Sequence, residues 1–289
     1  MPLRTMLFAP GDHERKVAKV FDVGADAVIL DLEDAVAEAE KPATRAIVVE
    51  ALKRSRRCLG YVRVNSMETP HCFGDLTEVI GPWLDGIVLP KVECADQIKT
   101  ADWLIAQLER ENKIPNGKID LIPIIETAKG HKEIANIAMA SSRVKRVAFG
   151  AGDYTLDLGI NWSLGETELE FARATCVMES RSAGIEPPID TVFIHLNESE
   201  AFQASAERAR DLGFQGKLCI HPSQVPTANA AFTPDDLEVA YARRVIDAFQ
   251  SAEAAGSASI QVDGYFIDYP IYEKAKRTLA IAEAVSSNI

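Results

Sequence analysis

Two carboxylates follow neighbouring apolar runs of the sequence. Glu126 comes directly after residues 121–125, and Asp153 comes shortly after residues 146–150. If both runs are adjacent strands of one parallel sheet, their carboxyl ends bring the two side chains together. Two carboxylates with open positions suit Mg²⁺, which keeps waters and accepts substrate oxygens. The pair therefore predicts a magnesium site, and the alternative is that each acid caps the helix after it.

The residues before Asp153 favour the ligand interpretation. They are Gly150, Ala151 and Gly152, and two glycines allow backbone N–H groups to approach a bound anion closely. We therefore expect this turn to contact a substrate carboxylate beside the metal. A pair of carboxylates can also act as nucleophile and acid on a sugar, but no further feature of the sequence supports that use.

Arg63 occupies an unusual position for a guanidinium. It follows Tyr61 on an apolar strand, where an unpaired charge is costly. Its planar fork fits a carboxylate in two hydrogen bonds, so Arg63 is predicted to bind the substrate. A buried salt bridge to Glu126 or Asp31 is the alternative.

Basic residues near the N-terminus could bind phosphate groups. Arg15 and Lys19 lie in the first predicted helix, and Lys41 and Arg45 are assigned to the second loop. The alternative is a solvated helix face, which is the commoner use of basic residues at this spacing.

Other strand-end residues allow two interpretations each. One of Asp31, Glu33 and Asp34 could hold Arg63 or a metal-bound water, while the others cap a helix. His195 and His221 end strands, where a structural histidine and a catalytic base are both plausible.

The apolar runs that position these residues number eight, and helical patterns lie between them. Apolar strands alternating with amphipathic helices predict a parallel sheet covered by helices, and eight units match a (β/α)8 TIM barrel. An open doubly wound sheet is the alternative, but no G-x-G-x-x-G turn follows the first strand. The predicted strands are 5–9, 27–31, 61–65, 86–90, 121–125, 146–150, 191–195 and 218–221.

A C-terminal helical appendage follows the predicted barrel, which divides the chain into domains 1–232 and 233–289. Its first helix, 234–252, is predicted to begin at Thr233 as cap with Pro234 at N1. A flexible joint, a turn at Asp263-Gly264 and a last helix over 271–285 follow. Considered alone, Asp268 is expected to cap that last helix.

Composition excludes several classes of protein. The 289 residues carry a formal net charge of −12, with 47% hydrophobic and 26% charged residues. This acidic balance argues against a nucleic-acid partner, and charged residues interrupt every apolar run, so no membrane span is expected. Five separated cysteines predict reduced thiols in a cytoplasmic protein.

Motifs along nearly the whole chain resemble the citrate lyase β-subunit-like branch of the CoA-ester lyases. That branch includes citramalyl-CoA and malyl-CoA lyases and is close to the HpcH/HpaI aldolases. The stretches that carry the resemblance are 4–11, 24–36, 63–65, 86–91, 123–127, 149–153, 213–222 and 263–268.

The resemblance implies a role for each matched residue. Glu126 and Asp153 would be Mg²⁺ ligands, Arg63 would clamp the substrate carboxylate or keto oxygen, and Asp268 would be an acid supplied by a neighbouring subunit. The remaining matches would contact coenzyme A: Phe8, Arg15, Lys19, Lys41, Arg45, His221 and Pro222. A homo-oligomer, with a trimer as the expected form, follows from the shared site.

The expected activity is Mg²⁺-dependent cleavage of a citryl-, citramalyl- or malyl-type CoA thioester to acetyl-CoA and a 2-oxo acid, or the reverse Claisen condensation. One alternative is an aldolase of free 2-oxo acids. Another is a citrate lyase β subunit that acts only in a complex with an acyl-carrier protein.

Overall fold

A computed structural model describes residues 3–286. Eight parallel strands in the order β1 to β8 close into a barrel, with β8 paired to β1. This confirms the predicted (β/α)8 class. The strands are β1 (Thr5–Pro10), β2 (Ala27–Asp31), β3 (Leu59–Arg63), β4 (Gly86–Leu89), β5 (Asp120–Ile125), β6 (Ala148–Phe149), β7 (Ile189–Asp190) and β8 (Gly216–Cys219).

Apolar side chains fill the centre of the barrel, which is a packed core as expected for this class. Met6, Ile29, Val88, Ile124 and Leu218 come from five different strands and are all buried in one cluster. Because the interior is filled, a ligand can bind only at the ends of the strands.

Helices follow the strands. They are α1 (Glu14–Lys19), α2 (Lys41–Leu52), α3 (Cys72–Val79), α4 (Ala95–Glu111), α5 (Ala128–Lys132), α6 (Ile134–Met139), α7 (Ala151–Leu158), α8 (Glu170–Ser182), α9 (Ser199–Leu212) and α10 (Gln224–Ala231). α5 and α6 are separated at Glu133, whose φ of −109° and ψ of 8° depart from helical geometry.

The prediction of strand seven was wrong in position. β7 is Ile189–Asp190, and residues 191–195 have no regular secondary structure. The β-branched composition of 191–195 is therefore that of a loop in which Thr191 and Phe193 are buried. β6 is also shorter than predicted, because only Ala148 and Phe149 join the ladder.

Residues 230–286 form a separate compact unit. It contains α11 (Asp236–Ala254), the hairpin strands β9 (Ile260–Val262) and β10 (Tyr265–Ile267), and α12 (Tyr269–Ser286). Its own core includes Val245, Phe249 and Ile267.

The start of α11 differs from the prediction, and the turn between β9 and β10 agrees with it. The predicted cap at Thr233 was wrong: α11 begins after Asp235, which forms a reciprocal capping box with Glu238. The Asp263-Gly264 turn is confirmed, with φ angles of 51° and 86°, as a two-residue hairpin of type I′ requires.

Within residues 3–286, no helix combines the length and the hydropathy needed to cross a membrane.

Candidate active site

Glu126 lies at the end of β5, buried at the carboxyl-terminal mouth of the barrel. Its Oε1 accepts a hydrogen bond of 2.7 Å from the backbone N–H of Lys91. Its Oε2 faces Gly150, where any added Cβ would overlap it, so only glycine fits there. Thr127, not Glu126, caps α5 by accepting a hydrogen bond from the Gly130 N–H. The capping alternative for Glu126 is therefore excluded by the geometry.

Asp153 lies in the first turn of α7, directly after β6. No side-chain hydrogen bond caps this helix, and the carboxylate of Asp153 lies 3.6 Å from the ammonium of Lys91. The N–H groups of Gly152 and Asp153 belong to the first turn and so have no intrahelical acceptor. The N–H of Ala151 is used differently, because it donates to Thr191 Oγ1 at 2.8 Å.

Arg63 is held by the neighbouring strand. Asp31 and Arg63 are register partners of β2 and β3, and Arg63 donates from Nε and Nη2 to the two oxygens of Asp31 at 2.7 and 2.6 Å. Arg63 Nη1 points the other way, 3.0 Å from Glu33 and 3.4 Å from Asp34. The predicted alternative of a salt bridge to Asp31 is therefore confirmed for this state, and Nη1 is itself paired with Glu33 and Asp34.

Lys91 stands between these acids. Its ammonium lies 2.6 Å from Glu33 Oε1 and 3.6 Å from both Asp34 and Asp153. Together, seven side chains form what we call the mouth cluster: Asp31, Glu33, Asp34, Arg63, Lys91, Glu126 and Asp153.

The mouth cluster perturbs the protonation of its members. Burial raises the pKa of Glu126 to about 8, and the negative charges of Glu33 and Asp153 add to that effect. Burial also raises the pKa of Glu33 despite the opposing charge of Arg63. For Asp31, burial acts to raise the pKa, but the charge and hydrogen bonds of Arg63 outweigh it and lower the pKa. Metal-free Glu126 therefore retains a proton near neutral pH.

This donor set fits a hard divalent cation. All the acidic members offer oxygen ligands, which Mg²⁺ prefers, and the five carboxylates share only two cationic side chains, Arg63 and Lys91. Among the described residues no three His, Cys, Asp or Glu side chains form a complete metal cage. A site built on Glu126 and Asp153 would thus leave positions for water and substrate oxygens.

The residues predicted to contact coenzyme A divide into accessible and buried side chains. Arg15, Lys19, His221 and Pro222 are exposed, and the ring of Phe8 lies 4.9 Å below the Arg63 guanidinium.

By contrast, Lys41 and Arg45 are buried, so the prediction that they contact a nucleotide is not supported. Lys41 donates to the carbonyls of Leu32 and Glu33 and to Asn65. Arg45 forms a 2.8 Å salt bridge to Asp75. These internal partners already satisfy both cations.

Asp268 precedes α12 in the C-terminal unit. Its Oδ1 accepts a long hydrogen bond of 3.4 Å from the Ile271 N–H, and its backbone carbonyl accepts from Tyr272. The side chain therefore stands at the capping position expected from the sequence and is half-buried.

Comparison with known families identifies the class of protein. The family profile described as HpcH/HpaI aldolase/citrate lyase matches residues 4–222. The chain belongs to this family. It is therefore an enzyme, a carbon–carbon lyase of the HpcH/HpaI family, as the resemblance of the motifs implied.

Individual relatives extend the match beyond the barrel. Citrate lyase subunit beta of Leuconostoc mesenteroides subsp. cremoris is 36% identical, over 97% of this chain and 93% of the relative. The L-malyl-CoA/beta-methylmalyl-CoA lyase of Cereibacter sphaeroides is 33% identical, over 99% and 96%. The crystal structure of CitE from Mycobacterium tuberculosis, in complex with magnesium, acetoacetate and coenzyme A, has a TM-score of 0.79 and 30% identity, covering 98% of each chain.

Two members of the site in this HpcH/HpaI protein were not assigned a role from sequence. Lys91 lies just after the apolar run of β4, and this strand-end position could have identified it as a site residue. Thr191, which fixes the Ala151 N–H, could not be recognised because 191–195 was assigned to a strand. Cys176 and Cys219 are free and fully buried, so they contribute to packing.

Proposed function

We propose that this enzyme cleaves a 3-hydroxyacyl-CoA that carries a carboxylate on its hydroxyl carbon. The products are acetyl-CoA and a 2-oxo acid, and the reverse reaction is a Claisen condensation. The observation that carries the proposal is the convergence of Glu126 and Asp153 on Lys91 at the barrel mouth, with more carboxylates than cations. The match to citrate lyase subunit beta and malyl-CoA lyase supports the substrate class.

Glu126 and Asp153 would hold Mg²⁺. When bound, the metal supplies Lewis-acid polarisation of the substrate's hydroxyl and carboxylate oxygens. The N–H groups of Gly152 and Asp153, at the start of α7, would receive the substrate carboxylate, because a helix N-terminus favours an anion.

Arg63 would stabilise the negative charge that develops on the oxygen as the carbon–carbon bond breaks. Asp31 holds the Nε and Nη2 edge of Arg63, so Nη1 would be the donor to that oxygen, in exchange for its present contacts with Glu33 and Asp34. A single such donor contributes on the order of 3 kcal/mol to the transition state. The same Asp31 contact prevents the guanidinium from rotating away.

The reaction then balances in protons, because the substrate hydroxyl releases one to the surrounding water and the product carbon takes one up. The substrate hydroxyl loses one proton, the bond to the carbon beside the thioester breaks, and its electron pair passes to the thioester enolate. That carbon must receive one proton from an acid to form acetyl-CoA. We propose that Asp268 of a neighbouring subunit, in a homotrimer, is this acid.

Coenzyme A would be recognised by four exposed residues and by the half-buried Phe8. Arg15 and Lys19 on α1 would contact the phosphates, and Phe8, His221 and Pro222 would lie beside the thioester arm. His221 is already oriented, since its Nδ1 accepts from the Ser223 N–H at 3.2 Å.

A product assay tests the proposal. The purified chain is incubated with citryl-, citramalyl- and malyl-CoA, with Mg²⁺ or with a chelator, and oxo acid and free thiol are measured separately. We expect oxo acid to form only with Mg²⁺. Cleavage of free hydroxy acids but not of thioesters would identify an aldolase instead.

A second candidate is a citrate lyase β subunit that requires an acyl-carrier partner, which the 36% identity to such a subunit favours. Activity that appears only when a citryl-loaded carrier protein replaces the CoA ester would identify this second function. Activity of the isolated chain on CoA esters would exclude the requirement.

The shared site has its own test. Asp268→Asn chains and Glu126→Gln chains, each inactive, are mixed under conditions where subunits exchange. Because some sites then receive both intact groups, part of the activity should return. Demonstrated exchange without any recovery of activity would contradict the role of Asp268 in a neighbouring site.

A further inference from the structure

Lys91 contacts the mouth cluster twice, through two different parts of the residue. Its backbone N–H donates to Glu126 Oε1 at 2.7 Å. Its ammonium, at the far end of the side chain, lies 2.6 Å from Glu33 and 3.6 Å from Asp153. One residue therefore contacts both proposed metal ligands and two further acids, Glu33 and Asp34.

The backbone conformation makes this double contact possible. Lys91 has a φ of 53°, in the left-handed region that residues other than glycine adopt infrequently. The chain turns sharply there at the end of β4, so that the N–H faces β5 while the side chain reaches back toward Glu33 and Asp153. The contact to Glu126 does not depend on the side chain, so the two roles can be separated by mutation.

The ammonium lies among carboxylates that are proposed to bind Mg²⁺. Two cations that share Asp153 repel each other, and the repulsion is strong in a partly buried site. Lys91 is about two thirds buried and has three acidic neighbours at its ammonium. Binding of a divalent cation must therefore weaken the contact between the ammonium and Asp153.

We infer that Lys91 is a built-in counter-cation of the mouth cluster, which stabilises the carboxylates without metal and competes with Mg²⁺ for Asp153. This inference rests on the proposed metal site. Lys91 is a positioning residue here: it sets the Mg²⁺ concentration at which the site fills, and the backbone N–H keeps Glu126 in place in both states.

The test is calorimetric titration of Mg²⁺ into the metal-free protein, without substrate. Lys91→Met removes the charge and keeps a long side chain, and Lys91→Arg keeps the charge. We expect Lys91→Met to bind Mg²⁺ about tenfold more tightly, a coupling of ordinary size between two ligands, and Lys91→Arg to bind as the wild type does. The matched control is Lys99→Met, because Lys99 is an exposed lysine that pairs with Asp96 on α4.

Thermal unfolding gives a second readout. Without metal, Lys91→Met should unfold at a lower temperature than the wild type, and saturating Mg²⁺ should reduce the difference. If Lys91→Met does not fold, Lys91→Gln replaces it in both measurements.

The outcomes separate the inference from the function on which it rests. If the wild type binds Mg²⁺ and the neutral variant binds it equally or more weakly, the counter-cation role is overturned while the metal site stands. If the wild type binds no Mg²⁺, both the metal site and the competition are overturned.

Discussion

Two groups of charged side chains in this barrel, one partly exposed and one fully buried, differ in how completely their charges are matched. The first is the mouth cluster. The second, which we call the wall network, consists of Glu166, Arg173, Asp190 and Lys217. Arg173 on α8 bonds to both Glu166 and Asp190, and Lys217 on β8 bonds to Asp190 at 2.5 Å.

The wall network contains two acids and two bases, whereas the mouth cluster contains five acids and two bases. In the wall network every acid is paired, and the positive charges of Lys217 and Arg173 lower the pKa of Asp190 although burial alone would raise it. In the mouth cluster burial and like charges raise the pKa of Glu126 to about 8. The balanced wall network is complete by itself, whereas the excess of carboxylates around buried Glu126 favours binding of a further cation.

The largest effect is expected from Glu126→Gln. The amide keeps the hydrogen bond from the Lys91 N–H but loses the anionic ligand, so Mg²⁺-dependent turnover should fall about 10³-fold, comparable to the loss of a single electrostatic contact at a transition state. Unfolding by denaturant should show no loss of stability, because the substitution removes a carboxylate that burial disfavours.

Glu166→Gln in the wall network is the matched control for this prediction. It should lower stability and leave the Mg²⁺ dependence of the folded protein unchanged. If Glu126→Gln retains wild-type Mg²⁺ dependence, Glu126 is not a ligand. The excess of carboxylates in the mouth cluster would then not indicate a metal site.

The next effect is on stability. Asp190→Asn leaves Lys217 and Arg173 buried without their shared anion, so the free energy of unfolding should fall by about 3–5 kcal/mol, as expected when one partner of a buried ion pair is removed. Asp153→Asn makes the same chemical change at the mouth, where the side chain is partly exposed. Denaturant unfolding of both variants measures the difference, and equal losses would contradict it.

The contrast also shows what the sequence could and could not predict. The position of Glu126 after an apolar strand and of Asp153 after a glycine turn sufficed to predict convergence, because strand order fixes which ends meet. The fates of Lys41 and Arg45 could not be predicted. Their partners are Asn65 in the loop after β3, 24 residues away, and Asp75 in α3, 30 residues away, and pattern alone does not specify such contacts.

Element ends were the least predictable feature of the fold. At β7 the ladder contains only Ile189 and Asp190, and the apolar residues that follow pack as a loop. At α11 the capping box of Asp235 and Glu238 prevailed over the Thr233-Pro234 signal, because two reciprocal hydrogen bonds fix the start of the helix better than a favourable first residue does.

The pH dependence of stability should distinguish the two groups next. In the metal-free protein Glu126 has a folded pKa of about 8, raised above its usual value of 4.5 in the unfolded chain. Its contribution to stability is therefore full below pH 4.5 and is lost as the pH rises to about 8, with a slope of up to about 1.4 kcal/mol per pH unit.

Denaturant unfolding between pH 5 and 9 measures this slope. Glu126→Gln should lack it, and saturating Mg²⁺ should flatten it in the wild type, because a bound cation favours the ionised carboxylate. The wall network acts in the opposite direction: Asp190 has a lowered pKa, so its contribution is lost only as the pH falls below its usual range. A metal-free wild type with the same slope as Glu126→Gln would show that Glu126 ionises normally.

The smallest effect, a change in KM, is expected when single exposed basic residues are replaced. The comparison here is between exposed and buried cations. Arg15 and Lys19 are exposed on α1, whereas the ammonium of Lys41 is buried against three oxygen acceptors. An exposed ion pair contributes about 0.5–1 kcal/mol, so Arg15→Ala and Lys19→Ala should each raise the KM for a CoA ester about two- to fivefold. Because a remote phosphate contact binds ground and transition states equally, kcat should not change.

A truncated thioester without the phosphorylated nucleotide provides the control, since both variants should use it as well as the wild type does. Lys41→Met should show the reverse pattern. Its free energy of unfolding should fall, because the Leu32 and Glu33 carbonyls and Asn65 lose a buried donor, and its KM should shift equally for the full and the truncated thioester. If Lys41→Met selectively raised the KM of the full CoA ester while Arg15→Ala and Lys19→Ala did not, the nucleotide would bind on the Lys41 side of the barrel. Burial would then be a poor guide to which cations of this protein recognise phosphate.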